Sequence, residues 1–364
     1  MKHRVKAVAR EVFARVLWHT GLARLVDRCS PPRLTILYGH CVADEALNGT
    51  LAPEMKISEA RLERLLERLG ERFEWVTIGE GMARLAAGDA RRSMVALSMD
   101  DGYRDNLVRL VPLLQRTRAR ATVFLEAGPV VARRIGWLHT LDWLVARLGP
   151  AAVRDALIAW RGGGLGDGFG EDPRGREALL AAGDANALKR ALKYHARQDL
   201  RDGVLLAIAR NHGYDARAHV EQLYLDREGA RALVASGVIE VGGHTIEHPV
   251  LSTQSAALQA REIAGGKEHL EAALGDSGAE SAPLITFAYP YGRSWDFDGR
   301  SVEAVAAAGF RWAVTTHAGT NTARSAPFAL RRWPIEESTA LHLLGVEASG
   351  GFEWLRRRGI DLVE

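Results

Sequence analysis

Cysteine is nearly absent from this chain: Cys29 and Cys41 are the only two in 364 residues. They share no C-x-x-C spacing, so neither a disulfide framework nor a thiolate metal site is indicated, and two unpaired thiols in a reducing compartment are expected. An excess of one charge is missing too. Lys and Arg number 48 against 45 Asp and Glu, a formal +3, and the signs are interspersed rather than blocked. Nucleic acid is therefore not expected as a partner, because it asks for a concentrated basic face. Long hydrophobic runs are also lacking. Residues 1–28 carry Val5, Val8, Val12, Phe13, Val16, Leu17, Leu22, Leu25 and Val26 at helical spacing, but Arg10, Glu11 and Arg15 interrupt any apolar stretch. The segment reads as neither a secretory leader nor a bilayer-spanning helix. It reads as a basic amphipathic helix over residues 1–30, which either packs on its own domain or makes peripheral contact with an anionic membrane. A cytoplasmic protein, free or membrane-associated, is the expectation.

What is present is an ordinary globular composition, 47% apolar and 26% charged, over a length that supports one barrel-sized domain or two smaller ones. Pro31-Pro32 ends the first helical stretch, and Leu34–Tyr38 is a short β-rich run closing at Gly39-His40. Ser58 is placed to cap a periodic helix to Arg72, with Arg61 where a capping box would carry Glu. Strands are expected at 73–78, 95–99 and 121–125, with helices through Leu85 and over 106–117 between them. Such alternation means parallel βαβ units, in a doubly wound sheet or an α/β barrel. From about 136 to 227 the strands stop; this part holds helical stretches and a Gly-rich break at 161–170. It is read as a helical insertion between two strands, a lid or a substrate wall. Strands resume at 238–241, 285–288 and 312–316, with a last one through 328–333. No internal repeat is visible.

The chemistry concentrates at strand ends. Met94–Leu97 leads into Ser98-Met99-Asp100-Asp101-Gly102-Tyr103, and Val238–Val241 leads across Gly242-Gly243 into His244-Thr245-Ile246-Glu247-His248. A catalytic site for a zinc-type metal needs three protein ligands and an open position, and His with Asp is a suitable set. The four-residue spacing of His244 and His248 suits one face of a helical turn. Asp101 is the candidate third ligand, and Asp100 then remains as a general base. Taken singly, a His-x-x-x-His pair arises often by chance among twelve histidines, and Asp-Asp-Gly is an ordinary N-cap and turn. Their joint position at strand ends, where barrel active sites collect, is far more specific. A third segment, Phe287-Ala288-Tyr289-Pro290-Tyr291-Gly292-Arg293, closes a strand with a rigid turn whose backbone N–H groups suit a developing oxyanion and whose aromatics suit a sugar face.

In this order, S-M-D-D-G-Y, H-T-I-E-H and F-A-Y-P-Y-G resemble the polysaccharide deacetylase family of metal-dependent carbohydrate esterases, of the NodB-homology type. Tyr38-Gly39-His40 and the stretch 101–106 resemble members associated with bacterial surface polysaccharides. The likeness spans roughly 33–130 and 226–335. It implies an α/β fold, a distorted (β/α) barrel with a helical insertion, that removes acetyl from an N-acetylated sugar. The implied layout is an amphipathic helix at 1–30, a barrel at 33–345 interrupted by 136–227, and a C-terminal tail at 346–364. Carried over by motif, Asp100 becomes the base; Asp101, His244 and His248 hold a divalent metal, zinc with cobalt or nickel as alternatives; and the Tyr291 N–H becomes the oxyanion donor. Tyr103, Tyr289, Pro290 and Arg332 are expected around the substrate.

The sequence departs from the family pattern in two places. Where the last strand motif usually ends in the histidine that protonates the leaving amine, this chain has Pro334. No arginine before Tyr289 matches the one that usually pairs with the base. His40, at the end of the first strand, is the candidate proton donor, with His317 a weaker one, and Arg332 is the candidate partner of Asp100. Trp137, His139, Asp142, Trp143 and Trp160 in the insertion either wall a sugar site or form core. The preferred substrate is a lipid- or nucleotide-linked N-acetylated glycan precursor. Hydrolysis of another amide, such as a formamide or a cyclic amide, and a catalytically impaired metal-binding scaffold are the alternatives.

Overall fold

The computed structural model describes residues 2–161, 168–275, 283–356 and 358–360. Most of the Gly-rich break expected at 161–170 lies outside them. Ten strands are described. In chain order they are β1 (Leu34–Gly39), β2 (Cys41–Val42), β3 (Lys56–Ile57), β4 (Glu74–Trp75), β5 (Met94–Met99), β6 (Ala121–Leu125), β7 (Ile239–Gly243), β8 (Thr286–Ala288), β9 (Trp312–Val314) and β10 (Arg332–Pro334). Seven form a nearly closed parallel barrel in the order β10-β1-β5-β6-β7-β8-β9, and a Val314–Leu330 bridge ties β9 back to the lead-in of β10. β4 lies against the start of β5, while β2 and β3 form a separate parallel pair. The fold is the distorted (β/α) barrel that the motifs imply.

Several strands are shorter than their β-rich runs. The 73–78 run gives only Glu74–Trp75, because Thr77 turns out to cap the helix Ile78–Ala87, accepting from the Glu80 N–H at 3.2 Å. The helix after β5 opens as a π-helical turn at Asn106–Leu110. Ser58 does cap the helix Glu59–Gly70, accepting from the Arg61 N–H, and its hydroxyl donates to Glu337 in place of a capping-box partner.

Strand alternation decides what reaches the barrel interior. Leu34 and Ile36 of β1, Met94 and Ala96 of β5, Phe124 of β6 and Ala288 of β8 share one inner cluster. Leu37, Val95, Leu97, Val241 and Phe287 pack in the outer cluster, under the helices. On β7 the inward positions are Glu240 and Gly242. A Cβ at Gly242 would lie 2.6 Å from the Phe124 ring and 2.7 Å from the Thr286 hydroxyl, so only glycine fits there. The half-buried Glu240 carboxylate accepts from Thr77, Gly79 and Thr286, which satisfies its oxygens.

Between β6 and β7 the chain makes eight α-helices among the described residues, and the six from Trp137–Leu148 to Ala216–Leu223 form the insertion. They bury Leu141, Leu144, Val153, Leu157, Leu188, Leu192, Val204 and Leu205 in a core of their own. An antiparallel bridge from Tyr103 to Tyr224 anchors the end of this segment to the loop after β5. The stretch expected as a tail from 346 is instead largely helical. Leu341–Ala348 and Gly351–Arg356 bury Val346, Phe352 and Leu355 against Ala14, Leu17 and Ala23 of the two N-terminal helices, Lys2–His19 and Leu22–Arg28. The tail reading failed because apolar periodicity over such short helices is weak until a partner surface is present.

Phe287 is fully buried between Tyr289 and Phe310, with ring centroids at 5.3 and 5.2 Å. Phe287→Ala is expected to lower the unfolding free energy by about 3–5 kcal/mol, read by urea denaturation; a loss under about 1 kcal/mol would contradict this placement in the core.

Candidate active site

Continuing the inward alternation by two residues takes β1 from Ile36 to Tyr38 and His40, and β5 from Ala96 to Ser98 and Asp100. These side chains meet at the C-terminal rim of the barrel, beside a cavity of about 360 Å³ lined by Tyr38, His40, Asp100, Asp101, Tyr103, His244, His248 and Tyr291 among others. Alternation alone would turn Asp101 away. Its φ of 75° breaks the strand and brings the second carboxylate into the same cavity. Of the six non-glycine residues with positive φ among the described residues, four lie at this site: Asp101, Thr245, His248 and Tyr291. Each such residue costs of order 1–3 kcal/mol, a backbone cost that clusters where function requires a set geometry.

His244 and His248 are not on a helical turn, contrary to the expectation from their spacing. The chain from His244 to His248 is a non-helical loop in which left-handed Thr245 and His248 bring the two rings to a centroid distance of 4.8 Å. The loop is pinned on both sides. Ala127 and Gly128 donate to the Thr245 and Ile246 carbonyls at 3.0 and 2.8 Å, and Glu262 accepts from the Ile246 and Glu247 N–H groups at 3.0 and 2.9 Å. Helix hydrogen bonding would have spent these groups locally and left the rings no such anchorage.

Asp101, His244 and His248 each offer one donor atom within 4.8 Å of the others. Asp101 Oδ1 lies 3.3 Å from His244 Nε2 and 3.7 Å from His248 Nε2. Atoms about 2 Å from one tetrahedral ion stand roughly 3.3 Å apart, so the set fits a zinc-sized cation. His244 Nδ1 is 2.7 Å from the Ala288 carbonyl, which selects the tautomer that leaves Nε2 free to ligate. One oxygen and two imidazoles suit a borderline divalent metal.

Asp100 is held differently. The fully buried Arg332 donates from both terminal nitrogens to its two oxygens, at 2.7 and 2.9 Å. The remaining guanidinium bonds go to Ser98 Oγ and the Thr315 carbonyl. Burial pushes the Asp100 carboxyl up, but the Arg332 charge and hydrogen bonds outweigh it and hold it below its ordinary value. Burial likewise opposes ionisation of Asp101, and the hydrogen bond from His244 with the nearby histidine charges overcomes it. Tyr291, at φ 62°, stacks its ring edge on His248 at 4.5 Å, and its own N–H makes no hydrogen bond among the described residues.

The other expected positions divide. His40 lines the cavity. In β10 the register sets Arg332 beside Ile36 and Pro334 beside Tyr38. His317 is not among the lining residues; its carbonyl accepts from the Arg332 N–H. Tyr103 lines the cavity as a buried wall, its hydroxyl 3.2 Å from His139 Nε2. Three expected substrate contacts need correction. Arg332 is 0% exposed and acts on Asp100, not on a ligand. Tyr289 falls on the outer face of β8, stacked on Phe297 and bonded to the Phe328 carbonyl, because alternation after Ala288 turns it outward. Pro290 is buried and outside the cavity lining, since the turn itself carries Tyr291 inward.

Trp137 and His139, named from sequence only as wall or core, do line the cavity. Burial pushes His139 down to about 4, so it is neutral near pH 7. Sequence reading missed Glu126, Lys193, Tyr224 and Glu247. Glu126 directly follows β6, a strand-end signal that could have found it. Burial, with the Asp101 charge second, pushes it well above the usual carboxylate range. Burial takes Lys193 down to about 8 and Glu247 up to about 7. Nothing in the sequence pointed to Lys193, which comes from the helix Ala185–Tyr194 of the insertion.

A buried carboxylate paired with arginine, three donors that could hold a divalent metal and a backbone N–H without a partner among the described residues thus meet at the rim of a parallel (β/α) barrel. Residues 202–313 match the family model for polysaccharide deacetylase, a stretch that holds the histidine pair and the Tyr291 turn. No curated protein matches the chain. Among solved structures it resembles IcaB from Ammonifex degensii (TM-score 0.54, 19% identity, covering 88% of this chain and 98% of that one). It also resembles the Streptococcus pyogenes deacetylase PplD in complex with acetate (TM-score 0.53, 16% identity, covering 87% and 99%). A polysaccharide deacetylase from Bacillus cereus is similar too (TM-score 0.51, 15% identity, covering 87% and 69%). The likeness to the family model covers residues 202–313, and the likeness to the solved structures is one of fold.

Removing Arg332 takes away the largest influence opposing burial at Asp100 and leaves only the weaker charges of His244 and His40 against it, which raises its pKa. For Arg332→Met the acid limb of the pH–rate profile is expected to move up by ~1–3 pH units. The same substitution strands a buried charge and lowers stability by about 3–5 kcal/mol. An unmoved acid limb would show that Arg332 does not set the ionisation of Asp100.

Proposed function

We propose that this protein is a metal-dependent N-deacetylase of an N-acetylated sugar in a bacterial polysaccharide, glycolipid or glycan precursor, with zinc as the metal and cobalt or nickel as substitutes. The observation that carries the reading is the pairing of two differently held carboxylates. Asp101 sits in the Asp–His–His donor set, and Asp100 is locked as a bidentate anion beside it. A binding module has no use for the second.

A divalent metal held by Asp101, His244 and His248 supplies Lewis acidity, which makes water a better nucleophile and the amide carbonyl a better electrophile. Asp100 takes the proton as water attacks; Arg332 keeps it ionised and oriented for that step. The Tyr291 N–H faces the oxygen on which negative charge develops. The nitrogen must be protonated before it departs, and His40, on the cavity wall from β1, is assigned that proton. Tyr103, Trp137, His139 and Tyr224 wall the cavity and restrict water around the sugar.

A precursor presented at a membrane surface is favoured by the N-terminal helices. Val8, Val12, Val16, Leu22 and Leu25 are five of the eleven large apolar residues exposed among the described residues. Residues 1–28 hold seven Lys and Arg against two Asp and Glu. No helix among the described residues is long and apolar enough to cross a membrane. An apolar stripe flanked by cations suits peripheral contact with anionic lipid.

Acetate release from N-acetyl sugars with added zinc, cobalt or nickel is expected, and Asp100→Asn should lower kcat by about 10²–10⁴ with the metal still bound. Metal at full occupancy with no acyl release would favour a scaffold, and formate release in place of acetate would favour a deformylase. Separately, sedimentation with vesicles should show binding to phosphatidylglycerol-containing membranes that weakens with salt, and none to neutral ones. Equal partition to both would remove the electrostatic part of the membrane reading.

A further inference from the structure

Charge in the catalytic cavity is unbalanced. Its carboxylates are each accounted for: Asp100 is paired with Arg332, Asp101 belongs to the metal set, Glu247 is paired with Arg134, and burial disfavours the ionised form of Glu126. Two cations on the wall are less well matched. Lys193 reaches in from the insertion with its ammonium 3.3 Å from the centroid of the Tyr291 ring, and the buried Asp296 at 3.4 Å is its carboxylate partner. That aspartate also accepts from the Tyr194 hydroxyl and the Arg293 N–H, so its charge is shared. Arg293 is exposed on the wall just past the Tyr291 turn, and its guanidinium pairs with no carboxylate among the described residues.

Next to Arg293, at 5.5 Å from its guanidinium carbon, lies the ring of Trp295, which is 58% exposed. The indole N–H donates to the Tyr194 hydroxyl at 3.1 Å, and the Trp295 backbone carbonyl accepts from the Ser252 hydroxyl at 2.6 Å, so both ring and main chain are held. A large apolar ring held with its surface open to water, beside a guanidinium that pairs with no carboxylate among the described residues, offers a ligand both an apolar face and a charge. A planar fork of donors suits phosphate or carboxylate, and a held indole suits the apolar face of a pyranose.

We infer that Lys193 and Arg293 form a subsite for an anionic group, phosphate or carboxylate, borne by the substrate close to its N-acyl sugar, with Trp295 stacking on the adjoining part. The inference rests on reading the cavity as a deacylation site. It narrows the substrate to an acidic or phosphorylated N-acyl glycoside and gives the helical insertion, through Lys193, a share in choosing it.

The test is direct binding, measured by calorimetry on the full-length zinc-loaded Asp100→Asn protein, so that turnover does not enter. Ligands are N-acetylglucosamine, N-acetylglucosamine 1-phosphate and N-acetylglucosaminuronic acid. At least one charged sugar should bind tenfold or more tightly than the neutral one, with an advantage that shrinks in high salt. Whether phosphate or carboxylate binds better identifies the source of the charge. Adding Arg293→Ala should bring the charged-to-neutral ratio close to one, and Arg293→Lys should restore part of it. Equal affinity for charged and neutral sugars, or a ratio that Arg293→Ala leaves in place, overturns the subsite. Selective binding of the charged sugar, with no acyl release by the parent protein, would instead leave the subsite standing and remove the deacetylase reading.

Discussion

The bidentate contact between Arg332 and Asp100 is the constraint around which the rest of the site is arranged. It joins the ends of β5 and β10 across β1, inside the barrel, with both partners almost wholly removed from water. A buried pair of this kind holds only if its remaining donors are satisfied, and Ser98 and the Thr315 carbonyl do that. The same contact closes the barrel rim and keeps a carboxylate ionised in a place where burial alone would neutralise it. Structure and chemistry share one interaction.

Around that pair, backbone conformation does what side-chain choice cannot. Two adjacent aspartates on a strand would face opposite sides; the left-handed Asp101 makes them neighbours in one cavity with different partners. The left-handed Thr245 and His248 similarly fold a His-x-x-x-His run into a ligand pair without a helix, and the left-handed Tyr291 frees an N–H at the rim. Glu262 and the start of the helix after β6 supply the hydrogen bonds that hold the histidine loop. The helical insertion then sits over the result, contributing Trp137, His139 and Lys193 to the wall.

Much of this was legible beforehand. The strands that carry the site were visible as apolar runs, and the three motifs were visible at their ends, because a parallel barrel collects chemistry at one rim. Legibility failed where partners are distant in sequence. Tyr289 and Pro290 looked like site residues by proximity to Tyr291, yet strand alternation and a turn send them elsewhere. Glu126 and Lys193 carry no motif, and only closure of the barrel and docking of the insertion give them a place beside the metal donors.

The sequence by itself determined the strand-helix alternation and the donor types at the strand ends, since these are local: residue identity, spacing and period. Tertiary structure decided that Arg332, named from sequence only as a candidate, grips Asp100 with two hydrogen bonds, that the histidine pair is a loop and not a helical turn, and that a lysine from the insertion enters the cavity. Each of those depends on contacts between segments tens to hundreds of residues apart. Their geometry follows from packing and left-handed backbone turns, to which spacing along the chain is blind.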